Sequence, residues 1–367
     1  MNSDTLFNLN EKNHIARLRL QNQQITGTSF SAPGEILACL GAIQAQDYAG
    51  AKWSLGLRLS GTTDAEIEQA IVQRTFIRTW LMRGTLHFVG AEDIHWMLGL
   101  LAPRSIARSK WRHQQLELTD EIFAQSRMLF TKMLSGGNRL TRGEMFALLE
   151  HKGISTSGQR GIHILWRIAQ DGLICFGPQS GKQQTFVLLD EWIPVDKKFD
   201  RDQSLVELAR RYFISRGPAT LQDFVWWSGL TAAEARIGLD ANSKILTQAS
   251  WNGRTFWMPP ASIGISNSLA NCHLLPGFDE YLLAYKERNA VLDEKFKQLY
   301  NPGNSGVLNP VIVLNGQVVG TWGRILKDDK VVISVRPFDL QIGTENKDLL
   351  QAANQYGEYV NLPMVLE

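Results

Sequence analysis

Two glutamines separated by one alanine, Gln44-Ala45-Gln46, are followed at once by Asp47 and come directly after an apolar series, Leu37, Leu40 and Ile43, at helical spacing. Polar side chains against the end of a buried face mark the point where that helix must stop. On an α-helix residues i and i+2 project to opposite sides, whereas in extended backbone they share a side. The two amides therefore converge only if the chain has left helical geometry. Each amide then offers a donor and an acceptor at one spot. The competing reading is a helix C-terminus whose glutamines satisfy its last free carbonyls. Spacing alone leaves both open.

Other chemistries lack their residues. There is no G-x-x-x-x-G-K-[ST] loop, no G-x-G-x-x-G, no H-E-x-x-H and no G-x-S-x-G, which argues against nucleotide hydrolysis and zinc catalysis. His87 and His95 are near neighbours without acidic or cysteine companions at ligand spacing, so neither a metal nor another cofactor is expected. Cys39, Cys175 and Cys272 are far apart and odd in number, which reads as reduced, buried thiols. The polar stretch Met1 to Asn10 lacks the order of a secretory signal, and no apolar run reaches the ~18 residues of a membrane span. A cytoplasmic protein without a membrane partner is expected.

The chain's 367 residues exceed what a single core fills, and 44% hydrophobic with 20% charged residues is the balance of a folded, multi-domain protein. A net charge of +2 does not announce a polyanionic partner. Its distribution says more. Between Ile71 and Leu116 stand Arg74, Arg78, Arg83, Arg104, Arg108, Lys110 and Arg112 against Glu92 and Asp93, a local net of +5. Taken alone, such a cluster is equally a solvated helical face.

The elements that must position these residues follow from caps and periodicity. A helix is expected over Glu11 to Gln21, a second opened by Ser31-Ala-Pro-Gly-Glu35, a third over Asp64 to Gln73, and two strands over Ile77 to Val89 around Met82-Arg83-Gly84. Ala51 to Leu59, with alternating apolar residues, reads as a packed strand. Helices followed by a hairpin is winged-helix order, and it returns twice. Thr141 caps Arg142 to His151, a helix spans about Ser157 to Asp171, and Leu173 to Phe176 pairs with Phe186 to Leu189. Thr220 then caps Leu221 to Ser228, Thr231 caps Ala232 to Leu239, and Ile245 to Ala249 pairs with Thr255 to Met258 across Asn252-Gly253. Strands over Pro310 to Leu314, Gln317 to Leu326 and Val331 to Val335 and a helix over Asn346 to Tyr359 form a barrel-like β unit. The expectation is an α+β protein of tandem winged-helix units: 11–134 with a helical extension, 135–200, 201–262, and a β-rich unit over 263–367.

Gln44-Ala-Gln46, followed by Arg78-Thr-Trp-Leu-Met-Arg83-Gly-Thr-Leu-His87 and by Leu274-Leu-Pro-Gly-Phe-Asp279-Glu-Tyr-Leu-Leu-Ala-Tyr-Lys-Glu-Arg288, resembles the AlkZ-like family of winged-helix DNA glycosylases. The likeness runs from about residue 11 to 340. No single motif is specific; their order and spacing are. The resemblance implies a scaffold that curves around duplex DNA, with a glutamine-apolar-glutamine motif as the catalytic element, a role that falls to Gln44 and Gln46. It points to the two-glutamine branch, associated with alkylated bases and cross-links, and leaves Asp47 as an auxiliary acid.

An N7-alkylated purine is already a good leaving group, so the implied task is to hold a water and stabilise an oxocarbenium-like state. A neutral amide is a poor general base at pH 7, and positioning must dominate. Arg78, Arg83, His87, Lys110, Arg112, Arg160 and Arg167 are the residues expected to contact double-stranded DNA, on a monomer. The alternative is a winged-helix transcription regulator without catalysis. A third reading, a scaffold binding protein through Trp226, Trp227, Trp251 and Trp257, has only those tryptophans behind it.

Overall fold

The computed structural model describes residues 7–8, 12–195, 198–260, 272–301, 306, 308–339, 343 and 345–367. The expected start of the first unit at residue 11 and the boundary at 262/263 lie outside them. Among the described residues three sheets organise the chain. The largest has six strands in the order Ala42–Gln44, Leu86–Gly90, Phe76–Trp80, Ile174–Ser180, Gln183–Leu188 and Leu140–Thr141. A five-stranded sheet runs Cys272–Leu275, Val311–Leu314, Gln317–Leu326, Val331–Pro337 and Met364–Leu366, open and curled as a half-barrel. In the third, Phe7–Asn8 lies parallel to Thr247–Trp251, which pairs in turn with Arg254–Met258. No described helix is long and apolar enough to cross a membrane.

The local chemistry explains most element ends. Thr63, Thr141, Thr220 and Thr231 each accept the backbone N–H three residues on, while Glu66, Glu144, Asp223 and Glu234 reach back to the capping residue. Asn252-Gly253, with both φ angles positive (49° and 70°), makes the turn between the strands of the third hairpin. The second hairpin is longer than expected, because the glutamine-rich segment pairs with itself from Ile174–Ser180 to Gln183–Leu188. The helix expected to begin at Ser31 begins after Ala32; Glu35 instead accepts the backbone N–H groups of Ser31 and Ala32, both at 2.9 Å. The segment expected as a strand over Ala51 to Leu59 is the helix Tyr48–Gly56. From Gly50 to Gly56 every residue of it is buried, and a helix buried on all faces carries no amphipathic period to read.

The first two hairpins are not separate wings. They join in one sheet through the single register pair Arg78 and Phe176. The cores are interwoven in the same way. One packs the N-terminal helices, through Ile36, Leu40 and Trp53, against Leu274, Trp322 and Tyr356 of the C-terminal sheet and terminal helix. A second packs the long helix Ile94–Gln115 against Leu208, Tyr212 and Trp227. A third fills the space between the joined hairpins and the helices Asp120–Leu134 and Arg160–Gln170.

The first of these cores contains a buried ion pair. Arg58 donates to both oxygens of Asp279 at 2.8 and 2.9 Å, and both side chains are fully buried. Burial raises the pKa of Asp279, but Arg58, Ser54 and the Tyr281 N–H more than offset that and hold the carboxyl below its ordinary range. Removing one partner strands the other charge in a dry interior. Asp279→Ala is therefore expected to destabilise the protein by about 3–5 kcal/mol in urea unfolding, well beyond the ordinary cost of a surface substitution. A loss under about 1 kcal/mol would show the pair to be dispensable.

Candidate active site

The site is built on the edge strand Ala42–Gln44. The helix Pro33–Leu40 ends at Gly41, whose φ of 80° turns the chain into that strand. Here the two readings of the glutamines part. The Leu40 carbonyl at the helix end accepts from Arg216 Nη1 at 2.6 Å, and the Ala42 carbonyl accepts from Arg216 Nη2 at 2.9 Å. An arginine from the helix Arg201–Arg216 thus satisfies the terminus, and the glutamine amides do not serve it.

The backbone N–H of Gln44 donates to Glu280 Oε1 at 3.1 Å. The other oxygen of Glu280 accepts from Arg216 Nη2 at 2.7 Å, Arg216 Nε at 3.1 Å and the indole N–H of Trp227 at 2.8 Å. Glu280, Arg216 and Trp227 are all buried. Sequence reasoning places Glu280 inside a family-like stretch and misses its role. Nothing in residue type distinguishes a buried acid from a solvated one, and its partners stand 64 and 236 residues away.

The Gln44 side chain is held from the other side. Arg83 Nη2 donates to Gln44 Oε1 at 3.1 Å. Arginine has no acceptor, so the amide must turn its oxygen toward Arg83, which settles the O/N orientation. Arg83 also donates to the Trp227 carbonyl. It sits at the tip between Phe76–Trp80 and Leu86–Gly90, where it and Gly84 have φ of 54° and 75°. A side chain at position 84 would also press on Trp166, 3.1 Å from the Cβ. Burial pushes the Arg83 guanidinium below its ordinary range, and the Glu280 carboxylate opposes that.

Across the sheet, His87 is the register partner of both Gln44 and Thr79, so the three side chains share one face. His87 is wholly buried. Its Nδ1 lies 2.9 Å from the Thr85 carbonyl, which places the proton on Nδ1 and leaves Nε2 an acceptor. His87 Nε2 and Thr79 Oγ1 have no hydrogen-bond partner among the described residues. The motif's middle residue, Ala45, is fully buried; its N–H donates to the Leu86 carbonyl at 2.7 Å, and its carbonyl accepts from Arg78 Nε and Nη2 at 3.0 and 2.8 Å. Burial lowers the Arg78 pKa to about 10, which still leaves it charged at neutral pH. The chain then bends at Gln46, which is exposed, and enters the helix Tyr48–Gly56 after Asp47. Asp47 faces Arg324 of the C-terminal sheet, 3.6 Å away, and is half-exposed.

The chain matches the family described as DNA glycosylase AlkZ-like over residues 37–359. It belongs to the AlkZ-like DNA glycosylase family. Members are hydrolases of the N-glycosidic bond in DNA. A similar curated protein is an interstrand DNA cross-link repair glycosylase of Streptomyces sahachiroi, 25% identical over 335 residues, which cover 87% of this chain and 89% of that protein. The solved structure of the Streptomyces sahachiroi DNA glycosylase AlkZ is similar in fold, with a TM-score of 0.80 at 22% identity, over 97% of this chain and 99% of that one.

The remaining residues expected at DNA fall into two places apart from the AlkZ-like motif. Lys110 is exposed on the long helix, and Arg112 beside it donates to Gln115 at 3.0 Å and Gln159 at 2.6 Å. Arg160 joins them by donating to the Leu116 carbonyl, just past that helix's end. Arg167 lies elsewhere, paired with Asp171 at 3.1 Å. Trp227 is core, whereas Trp226, one residue earlier, is 45% exposed.

Burial and the Arg83 charge push the His87 pKa down to about 3. The unfolded chain binds that proton near the ordinary ~6.5, the folded chain only near 3, so His87 contributes stability above pH 6.5 that is lost as pH falls. His87→Gln is expected to reduce the slope of unfolding free energy between pH 6 and 4 by about one proton, or ~1.4 kcal/mol per pH unit. Urea titrations at several pH values measure this, and an unchanged slope would place the His87 pKa near its ordinary value.

Proposed function

We propose that the chain is a monofunctional DNA glycosylase that releases N7-alkylated purines, interstrand cross-links among them, with Gln44 and Gln46 holding the attacking water. The observation that carries this reading is the Gln44 amide. Its carbonyl is aimed by a donor-only arginine, and its backbone is fixed by a buried carboxylate. A preorganised amide oxygen offers partial negative charge where positive charge develops on the sugar, without reorganising at the moment of reaction. The name of the curated relative supports extending the substrate range to cross-links.

In this scheme the C1′–N9 bond breaks and its electron pair neutralises the cationic purine. Water then bonds to C1′ and releases a proton to solvent. Gln44 contributes the fixed oxygen at the inner end of the motif, and exposed Gln46 meets the incoming strand. His87 is neutral through the working pH range, so it adds no cation of its own; Arg78 holds the Ala45 carbonyl, and Arg83 occupies one lone pair of the Gln44 oxygen and leaves the other for the substrate side. Phosphate contacts fall to Lys110, Arg112 and Arg160, with Arg167 further along. The units expected over 11–134, 135–200 and 201–262 track the duplex together, the first two coupled through their shared sheet, and the protein works as a monomer without metal or added cofactor.

Water rather than lysine as nucleophile is supported by Lys52, the lysine nearest the motif in sequence. Its Nζ lies 2.8 Å from Asp64 and 3.0 Å from Glu68, in a largely buried position. A paired ammonium is a poor Schiff-base former, because the amine must first lose its proton.

Gln44→Ala and Gln46→Ala are each expected to slow release of N7-methylguanine from duplex DNA about 10–1,000-fold in single-turnover assays, with DNA affinity nearly unchanged. Borohydride is expected to trap no covalent complex, and the product strand stays intact until alkali is added. Undiminished release by the double variant would remove the glutamines from the chemistry. Specific binding of undamaged sequence without any base release would favour the transcription regulator.

A further inference from the structure

The long helix Ile94–Gln115 passes close to the hairpin tip that holds Arg83, and between them lies a narrow pocket closed by the turn Ser228-Gly229-Leu230. Arg104 and Arg108 line it, together with Arg83 and Arg201. Among the described residues the only acid in its wall is Glu234, which is already engaged by Arg201, the Thr231 N–H and the Thr231 hydroxyl. Neither Arg104 nor Arg108 forms a hydrogen bond or ion pair with any described residue, and the Nε of Arg104 is buried without a partner. Among the described residues buried Arg58, Arg211 and Arg216 are ion-paired, and buried Arg19 and Arg78 donate to backbone carbonyls, Arg19 keeping one unpaired nitrogen, Nη1. Two neighbouring guanidiniums left unpaired, one with a buried donor, mark a place prepared for an anion.

The backbone makes room for them. Gly229 has φ of 75°, and a side chain there would lie 3.2 Å from Arg83 Cγ and 3.9 Å from Arg108 Nη1. Arg104, Arg108 and Arg112 stand four residues apart on one helix, hence on one face and about 6 Å apart along its axis. That rise is comparable with the spacing of successive phosphates along one nucleic-acid strand. The row leads to Arg83, whose other end touches Gln44.

We propose that Arg104 and Arg108 form a phosphate-binding subsite for the DNA strand that carries the lesion. The subsite fixes the backbone beside the nucleotide presented to Gln44, and this assignment rests on the glycosylase reading. The ligand is a phosphodiester, recognised by two planar guanidiniums that each present a fork of N–H donors. The contact is independent of base sequence and makes affinity depend on salt.

The test uses the full chain and a duplex carrying one N7-methylguanine. Fluorescence anisotropy at several salt concentrations gives the dissociation constant and salt slope, and single-turnover release at saturating enzyme gives the rate. Arg104→Ala with Arg108→Ala is expected to weaken binding at least tenfold and to lower the salt slope by about two, one for each phosphate no longer neutralised. The saturated release rate is expected to fall as well, because the strand beside Gln44 is no longer held in place. Arg139→Ala, at the opposite edge of the six-stranded sheet, removes a charge without these effects and serves as control. Neither arginine has a partner among the described residues, so unfolding midpoints are expected to be unchanged; Arg108→Glu, which repels a phosphate, provides a second variant. An unaltered slope and affinity in the double variant, or an equal effect in Arg139→Ala, would overturn the subsite. Absence of base release by the unmodified protein would instead defeat the glycosylase reading, while the binding slopes would still decide the subsite.

Discussion

One buried carboxylate sets the geometry on which the rest depends. Glu280 reaches the edge strand through the Gln44 N–H, the helix Arg201–Arg216 through Arg216, and the helix Leu221–Ser228 through the Trp227 indole. An ionised carboxylate in a dry interior is tolerable only when its oxygens are fully bonded. Its position is therefore fixed by three elements at once, and it fixes them in turn. Arg216, neutralised by Glu280, is free to satisfy the carbonyls of Leu40 and Ala42. The helix can end there without help from the glutamines, and their amides are not spent on its last carbonyls.

The hairpin supplies the second half of the constraint. Arg83 adopts a left-handed backbone that non-glycine residues seldom hold, a small strain kept because the flanking strands and Trp166 leave the turn no alternative. From that position it touches Gln44 and the Trp227 carbonyl together. Gln44 is thus gripped at its backbone by Glu280 and at its side chain by Arg83, and both grips converge on Trp227. Such double support is what a neutral amide needs. It has no charge or basicity to offer, and only its placement can lower a barrier.

Much of this was legible where structure is local. Thr220, Thr231 and Asn252-Gly253 announced helix starts and a turn because a cap or a primed turn depends on three or four consecutive residues. The abrupt polar step after Ile43 marked where the helix ends, but left open whether the chain beyond it is extended. What stayed hidden depends on distant contact. The helix Tyr48–Gly56 is buried at every residue from Gly50 on, so its apolar residues mimicked a strand. Arg78 and His87 are among the residues expected to contact DNA, yet both are buried in the joined sheet, whose two hairpins meet at the pairing of Arg78 with Phe176. Trp226 and Trp227 looked alike, but one helical step of about 100° sends one to solvent and the other to Glu280. The role of Glu280 could not be read at all, since 236 residues separate it from Gln44.

The central claim is that Glu280 acts through Gln44, as a positioning group for an amide that meets the reacting sugar. A double-mutant cycle measures this directly: single-turnover release of N7-methylguanine at saturating enzyme by the unmodified protein, Glu280→Gln, Gln44→Ala and the combination. Glu280→Gln alone is expected to slow release about tenfold or more, the equivalent of ~1.4 kcal/mol. In the Gln44→Ala background it is expected to slow release no further. Two losses that multiply in the combined variant would contradict the account, because Glu280 would then serve the reaction by a route that does not pass through Gln44.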